Sequence, residues 1–407
     1  MDDVHLTVGW HEGILVSTEE ERVCFDPQGK KKDFDSIFIS HSHNDHTAAF
    51  SYDAVKYSTA ETQQIFEVRS GRNIRNFRAI EYNQTLRFGS FEVIPRNAGH
   101  MLGSAQFEIH TPEETIVYTG DINCVDTLTT RAAKPIECDI LIIETTYGDP
   151  AFVFPRREEV YVDIAKWVVD AATKGRTPVF EVYSVGKAQE IVALINCFTE
   201  LPVVVSPIIG RVNEVHKRFG TELHSIDTNS PEGQDILGKG DCCYIVSARS
   251  RQDLPENSAR ATATGWAAKF RLRSYDRVFS LSSHADFGQL LSYIKRAKPS
   301  IVYTCYGQNE IFSTYITKKT GIKSLPIKNG KTMPLMDPKK EKRERDSDTG
   351  KVLDLMAMPG FVYYEGWIVE KMQVSGFGIS KTKKILAQME KRGIISYERD
   401  CKGYRLT

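Results

Sequence analysis

A net charge is what this chain most plainly lacks: 53 basic residues cancel 53 acidic ones over 407 residues. Without a global field, nothing draws it indiscriminately to a polyanion, so any contact with nucleic acid must come from local patches. Long apolar runs are missing as well. No stretch approaches the roughly 20 consecutive apolar residues of a membrane span, and Met1-Asp-Asp-Val-His5 carries neither the basic nor the apolar part of a secretory signal. A cytoplasmic location is therefore expected. The eight cysteines form no Cys-x-x-Cys, and the adjacent Cys242 and Cys243 are poorly placed to bond each other, so reduced, mostly buried thiols are expected rather than a disulfide scaffold. A hydrophobic content of 41% is enough for a substantial core, and the length suits two or three domains.

Against this plain background stands His41-Ser-His-Asn-Asp-His46, directly after the apolar run Ser36-Ile-Phe-Ile-Ser40. Residues two apart on an extended segment share a face, so His41 and His43 point into one pocket, while Asp45 and His46, on the turn that follows, point into its neighbour. That pattern offers two half-sites for two cations. A single histidine would be an ordinary surface or hydrogen-bonded residue, but four metal-type side chains in six positions after a strand argue for ligation.

The same idea recurs along the chain. Short strands between Leu6 and Asp26 end in an acid, and Asp26 is placed to orient a metal-bound histidine, although an Asp-Pro turn explains it about as well. A helix is expected from Thr59 to Arg69. Arg69, Arg72, Arg75 and Arg78 have the spacing of a solvated face. His100 lies between Gly99 and Gly103. Thr115-Ile-Val-Tyr-Thr-Gly-Asp121 and Asp139-Ile-Leu-Ile-Ile-Glu144 are apolar strands ending in acids, of which Asp121 is placed to bridge two metals.

From 150 to about 272, strands alternate with helices at 158–172 and 187–198, which implies a parallel α/β unit. Ser247, Arg249 and Thr264, at a strand edge there, are candidates to bind phosphate, weighed against turn and capping roles. Trp266 reads as a core residue more readily than as a base-stacking one. Residues 338–350 form a charged, apolar-free linker. Beyond it, helices are expected at 351–357 and 365–374, with Ser380 capping a third that ends at Arg392. A strand pair at 394–399 and 403–406 completes a winged-helix pattern. Lys381, Lys383, Lys384 and Lys391 make the third helix basic. That suits phosphate contacts, and equally a solvated or protein-docking face.

Taken together, Asp26, His41-Ser-His-Asn-Asp-His46, Gly99-His-Met-Leu-Gly-Ser104 and Thr119-Gly-Asp121 resemble the metallo-β-lactamase fold. With Glu144-Thr-Thr-Tyr-Gly148, Gly186-Lys-Ala-Gln-Glu190 and Ser282-Ser-His-Ala-Asp286, the chain resembles the β-CASP branch of nucleic-acid-cutting enzymes over residues 1–335. It looks closest to ligase-associated DNA exonucleases and archaeal mRNA 3′-end processing factors. The resemblance implies an α/β chain: an αββα sandwich at 1–150 and 273–337, an inserted α/β β-CASP domain at 151–272, the linker, and a winged helix at 351–407. It implies metal ligation by His41, His43, Asp45, His46, His100 and Asp121. Asp45, Glu144 and His284 form the catalytic set, with His284 held by Glu144 as the acid for the departing sugar oxygen.

One position departs from the family. RNA-cutting members carry a further metal-binding histidine where this chain has Tyr306. The expectation is zinc bound firmly at the first position and a weaker or exchangeable second ion, with manganese or magnesium as alternatives. The expected partner is single-stranded DNA or RNA, DNA slightly favoured, for repair or processing. Alternatives are an RNA-processing nuclease, a catalytically silent nucleic-acid-binding subunit and a small-molecule hydrolase. The inserted domain disfavours the last, because a cap over the site makes a channel suited to a strand.

Overall fold

In the computed structural model of the chain, the described residues are 7–10, 13–17, 22–29, 34, 36–248, 254–327, 332–334, 341, 351–352, 356, 363–374, 377–391, 394–398 and 403–406. The strands β1 (Thr7–Trp10), β2 (Ile14–Ser17) and β3 (Arg22–Phe25) form an antiparallel meander. Onto it β4 (Ser36–Phe38), β5 (Lys56–Ser58) and β6 (Phe77–Ala79) add in parallel. Helix α1 (Ala60–Ser70) crosses between the last two. The Thr59 side chain caps its start and Gly71, at φ 68°, ends it, a start and a stop signal legible in the sequence.

A second sheet begins with β7 (Leu86–Phe88), β8 (Phe91–Asn97), β9 (Ala105–His110) and β10 (Thr115–Tyr118), all antiparallel, and continues with β11 (Ile140–Glu144) in parallel. All five residues of β11 are buried, as suits a central parallel strand covered on both faces. The insert then runs α2 (Arg157–Thr173), β12 (Thr177–Val182), α3 (Lys187–Phe198), β13 (Val203–Val205), α4 (Pro207–Arg218), β14 (Ile226–Asp227), α5 (Pro231–Lys239), β15 (Cys243–Ser247), β16 (Ser258–Ala263) and β17 (Arg277–Phe279). Its sheet is parallel throughout, in the order β14-β13-β15-β12-β16-β17.

The chain returns through α6 (Phe287–Ala297), β18 (Ile301–Cys305), α7 (Asn309–Thr320) and β19 (Lys323–Pro326), extending the second sheet to β19-β18-β11-β10-β9-β8-β7. Strand β20 (Thr332–Pro334) closes the first sheet beside β1. At the C-terminal end, β21 (Tyr363–Tyr364), α8 (Glu365–Val374), α9 (Ile379–Lys391), β22 (Ile395–Glu398) and β23 (Gly403–Leu406) make a small module with a sheet ordered β21-β23-β22. Its own core includes Ile368, Met372, Leu386 and Met389.

The two large sheets pack face to face. Phe25 and Phe38 from the first stack at 5.3 Å, and Phe107 from the second sits 5.1 and 5.3 Å from them, with Tyr118 5.5 Å from Phe25. The outer face of the second sheet is covered by Leu290 and Ile294 of α6 and Phe312 and Ile316 of α7. Ala49, Phe50 and, from α1, Phe66 cover that of the first. Among the described residues, no helix is long and apolar enough to cross a membrane, and the seven described cysteines are all free.

Two expectations need correction, and a third falls largely outside the described residues. The insert does not end at 272, because Arg277–Phe279 pairs in parallel with Ser258–Ala263 as the edge strand of the insert's own sheet. A strand of three residues, Arg-Val-Phe, carries no local sign of which sheet it will join. Ser380 lies inside the third C-terminal helix, whose first described backbone bond runs from Thr382 N to Gly378 O. Of the helix expected at 351–357, only residues 351, 352 and 356 are described.

Gly99, which precedes a candidate ligand, adopts φ +70°, and a Cβ there would lie 2.7 Å from the carbonyl oxygens of Asn123 and Arg131. A left-handed non-glycine residue costs about 1–3 kcal/mol before any clash is counted. Gly99→Ala is therefore expected to lower stability by at least about 1 kcal/mol in chemical denaturation. A variant as stable as the parent would refute this account of the turn.

Candidate active site

Strand ends set the site. β3, β4, β10, β11 and β18 run toward one rim, and their C-terminal ends deliver Asp26, His41, Asp121, Glu144 and Tyr306 in turn. The open edge of a parallel sheet is where such chemistry is usually placed, since the loops there are free to vary.

Asp26 is fully buried and takes φ 49°, an unusual conformation for a non-glycine residue. Its carboxylate accepts four hydrogen bonds: from Ser40 N (2.7 Å), Ser40 Oγ (2.6 Å), Tyr118 OH (2.7 Å) and His46 Nδ1 (2.8 Å). A consequence reaches His41. Because the Ser40 hydroxyl gives its one proton to Asp26, its oxygen accepts from His41 Nδ1–H at 2.9 Å, which leaves His41 Nε2 as a bare lone pair. Burial, followed by the neighbouring imidazoles, holds the His41 pKa well below its usual range, so the ring is neutral.

His100 is set in the same way. Its Nδ1 donates to the Ser283 carbonyl at 2.8 Å, leaving Nε2 free to face inward, and burial again holds its pKa well down. His43 has its pKa lowered to about 3, chiefly by burial.

The inward atoms form one cluster. His100 Nε2 lies 3.1 Å from His43 Nδ1 and 3.7 Å from Asp121 Oδ2, and His41 Nε2 lies 3.3 Å from Asp121 Oδ2. A tetrahedral ion with bonds of roughly 2.0–2.1 Å keeps its donors about 3.3 Å apart, so these spacings fit a divalent metal. The buried His41 Nε2 has no hydrogen-bond partner, although it faces the carboxylate, which is the state of a donor reserved for a cation.

Beside this group lies a second, more acidic corner. His46 Nε2 is 3.8 Å from both Asp121 Oδ2 and Asp45 Oδ2. Burial disfavours charge on His46, but Asp121 and Asp26 outweigh it and lift its pKa to about 10. Asp121, raised to about 7 mainly by burial, is pulled the other way by His46 and His284. The corner thus calls for positive charge. Tyr306, at φ 58°, brings its ring to 5.2 Å from His46 and its hydroxyl to 3.1 Å from that of Tyr118. Burial drives the Tyr306 phenol well above its usual pKa, so it stays protonated and is a poor ligand.

Across the rim, Glu144 is wholly buried and holds His284 Nδ1 at 2.9 Å, while Ile122 N (3.1 Å) and Thr146 N (3.0 Å) also donate to its carboxylate. Burial disfavours the Glu144 charge, but His284 and these donors outweigh it and its pKa falls. Burial likewise works against charge on His284, yet Glu144 and Asp121 raise its pKa to about 9. His284 Nε2 ends up 4.0 Å from Asp121 Oδ2. The return loop that carries it is tied down by Arg157, which bonds both Glu190 and the Ser282 carbonyl.

The cluster opens into a cleft of about 640 Å³ between the two-sheet body and the insert. Ser247 and Thr264 both line it, although Thr264 also accepts a bond from Trp266 N as a cap. Arg249 lies outside the described residues. Lys381 and Lys384 are exposed on α9, in the C-terminal module, and do not line this cleft. Two readings change. Arg69 is half-buried on the cleft wall rather than on a solvated face, and Trp266, 37% exposed, belongs to the wall rather than to the core. Sequence reasoning passed over Ser40, Tyr118, Tyr183 and Lys187. Ser40, Tyr118 and Lys187 carried a local signal, each lying within or next to a motif, and Tyr183 did not. The cleft lysine Lys187 is brought to a pKa of about 8 by burial, which the nearby Glu190 partly offsets.

No family model matches the chain. Among curated proteins, it is 30% identical to a probable DNA ligase of Opitutus terrae over 66% of this chain and 26% of that protein. It is 29% identical to an RNase J-like protein of Methanocaldococcus jannaschii over 79% of this chain and 96% of that one. With RNase aCSPSF2 of Saccharolobus solfataricus it shares 28% identity over 75% and 76% of the two chains. It therefore spans only about a quarter of the ligase-named relative but nearly all of the RNase J-like one. A solved structure from Enterococcus faecalis, a protein of unknown function, shares the fold at a TM-score of 0.59 and 16% identity, over 81% of this chain and 100% of that one.

If Ser40 sets the His41 tautomer, Ser40→Ala is expected to weaken metal binding about 10–100-fold while the far-ultraviolet circular dichroism stays unchanged. Competition with a chelating dye measures this. Unaltered affinity would show that the hydroxyl does not orient the ring.

Proposed function

Its homologues being β-CASP metallo-β-lactamase nucleases, we propose that this chain is a metal-dependent phosphodiesterase, an exonuclease on single-stranded nucleic acid, with zinc held by His41, His43, His100 and Asp121. One observation carries the reading: ligand atoms of these four side chains, drawn from separate parts of the chain, lie within 4.8 Å of one another. The two-sheet body is read as the αββα sandwich of the fold, the insert as its β-CASP domain and the C-terminal module as a winged helix. Ser247, Arg249, Thr264, Lys381 and Lys384 are proposed phosphate contacts.

When bound, the metal supplies Lewis acidity at the phosphoryl group and lowers the pKa of water toward 7. The protein's own part is acid catalysis and positioning. His284, protonated at neutral pH with its Nδ1–H fixed by Glu144, presents Nε2–H to the departing sugar oxygen. Asp26 and Ser40 hold the His46 and His41 rings against rotation. Asp45, His46 and Asp121 offer a second position, weaker because Tyr306 supplies a protonated phenol where an imidazole would complete it.

DNA is proposed as the preferred strand on the strength of Tyr306, the residue that departs from the RNA-cutting pattern. RNA is the second reading, favoured by relatives whose names are those of ribonucleases. A time course on matched end-labelled single-stranded DNA and RNA is expected to show stepwise, metal-stimulated shortening, faster on DNA. Protein that binds no transition metal and cuts neither strand would overturn the assignment.

Glu144→Gln keeps the size of the side chain but weakens its hold on the His284 cation. It is expected to reduce kcat by about 10²–10⁴-fold with metal content unchanged. An undiminished rate would remove His284 and Glu144 from the reaction.

A further inference from the structure

Beside the cleft, a series of rings runs from the buried Tyr147 outward to two exposed ones. From His284 the ring of Tyr147 is 5.9 Å away, Trp266 is 5.1 Å from Tyr147, and Phe270 is 6.1 Å from Trp266. Trp266 is 37% and Phe270 49% exposed. Phe270 lies in Lys269-Phe-Arg-Leu-Arg273, five consecutive exposed residues in which basic and apolar side chains alternate. Lys269 is neutralised by Asp149 at 2.7 Å. Among the described residues, the guanidinium groups of Arg271 and Arg273 have no ion pair or hydrogen bond. On the other side of the metal cluster, Tyr183 is 60% exposed on the cleft wall, with its ring 6.4 Å from that of His43.

We propose that Trp266–Arg273 is a binding track on which a single strand of nucleic acid lies as it passes between the cleft and the surface, bases on Trp266 and Phe270 and phosphates at Arg271 and Arg273. The inference rests on the nuclease reading and adds to it the path of the strand. Three observations support it: the row of rings is continuous with the candidate catalytic histidine, it leads outward, and it ends in unneutralised positive charge on a chain with no net charge. Flat rings interleaved with cations suit a strand with unstacked bases, because every base has a face to stack whatever its identity. In a duplex those faces are occupied. The track therefore selects single strands and tolerates any sequence. Tyr183, beyond His43, places a further ring on the opposite side of the cluster.

The test uses the full chain in a chelating buffer, where cutting is suppressed, with fluorescent 20-nucleotide dT and U strands, a 20-base-pair duplex and a 4-nucleotide strand. Phe270→Ala is expected to weaken binding of both 20-nucleotide strands roughly 5- to 100-fold. Arg271→Ala with Arg273→Ala is expected to reduce the slope of log affinity against log salt by about 1.4, at about 0.7 per phosphate contact. Binding of the 4-nucleotide strand should change less than twofold, the duplex should bind more weakly than either strand, and thermal unfolding should be unaltered. Parent-like affinity and salt slope in both variants, with the parent still binding and cutting, would overturn the track and leave the nuclease reading intact. A parent that binds no strand and cuts none would remove both. Should the double arginine variant unfold, Phe270→Ala alone decides, since its affinity either falls or does not.

Discussion

A buried carboxylate with four donors holds the rim of this molecule together. Asp26 belongs to the end of β3, Ser40 to the end of β4, His46 to the turn beyond it, and Tyr118 to β10 of the other sheet. Its negative charge would be costly at full burial without these partners, and the partners in turn have only one arrangement that satisfies it. The packing of the two sheets therefore determines which way two imidazoles face. The same carboxylate fixes the tautomer of His41 through the Ser40 hydroxyl and that of His46 directly.

A second carboxylate does the corresponding work across the rim. Glu144 stays ionised because backbone N–H groups and His284 outweigh the cost of burying it, and an ionised Glu144 keeps His284 a cation. Asp26 and Glu144 each raise the pKa of the histidine they hold, His46 and His284, while burial and the neighbouring imidazoles lower that of the other three. His41, His43 and His100 are thereby held neutral, and His284 is held toward its protonated form. Environment alone thus separates like side chains into different protonation states within one pocket, as the proposed division between ligation and proton transfer requires.

The insert completes the site by covering it. Its parallel sheet turns the C-terminal ends of β12, β15, β16 and β17 toward the cleft, so that Tyr183, Ser247 and Thr264 become its far wall and the loop to His284 descends from its edge strand. The body and the insert thus bring the loops at their strand ends to one gap.

Much of this was legible in the amino-acid order. Helix α3 falls where periodicity places it, β11 shows as an unbroken apolar run, and the His41–His46 stretch announces its chemistry by donor type alone. Less visible was β16, because Ser258–Ala263 is built of small residues around Arg260 and shows no hydrophobic pattern of its own. The allegiance of Arg277–Phe279, the exposure of Trp266 and the place of Arg69 on the cleft wall were decided only in three dimensions. The reason is range. Periodicity, capping and donor identity are properties of a few adjacent residues, so the chain states them by itself. Which lone pair faces inward depends on a partner far along the chain: the Ser283 carbonyl that orients His100 is 183 residues away, and only the folded packing of sheets and insert brings the two into contact.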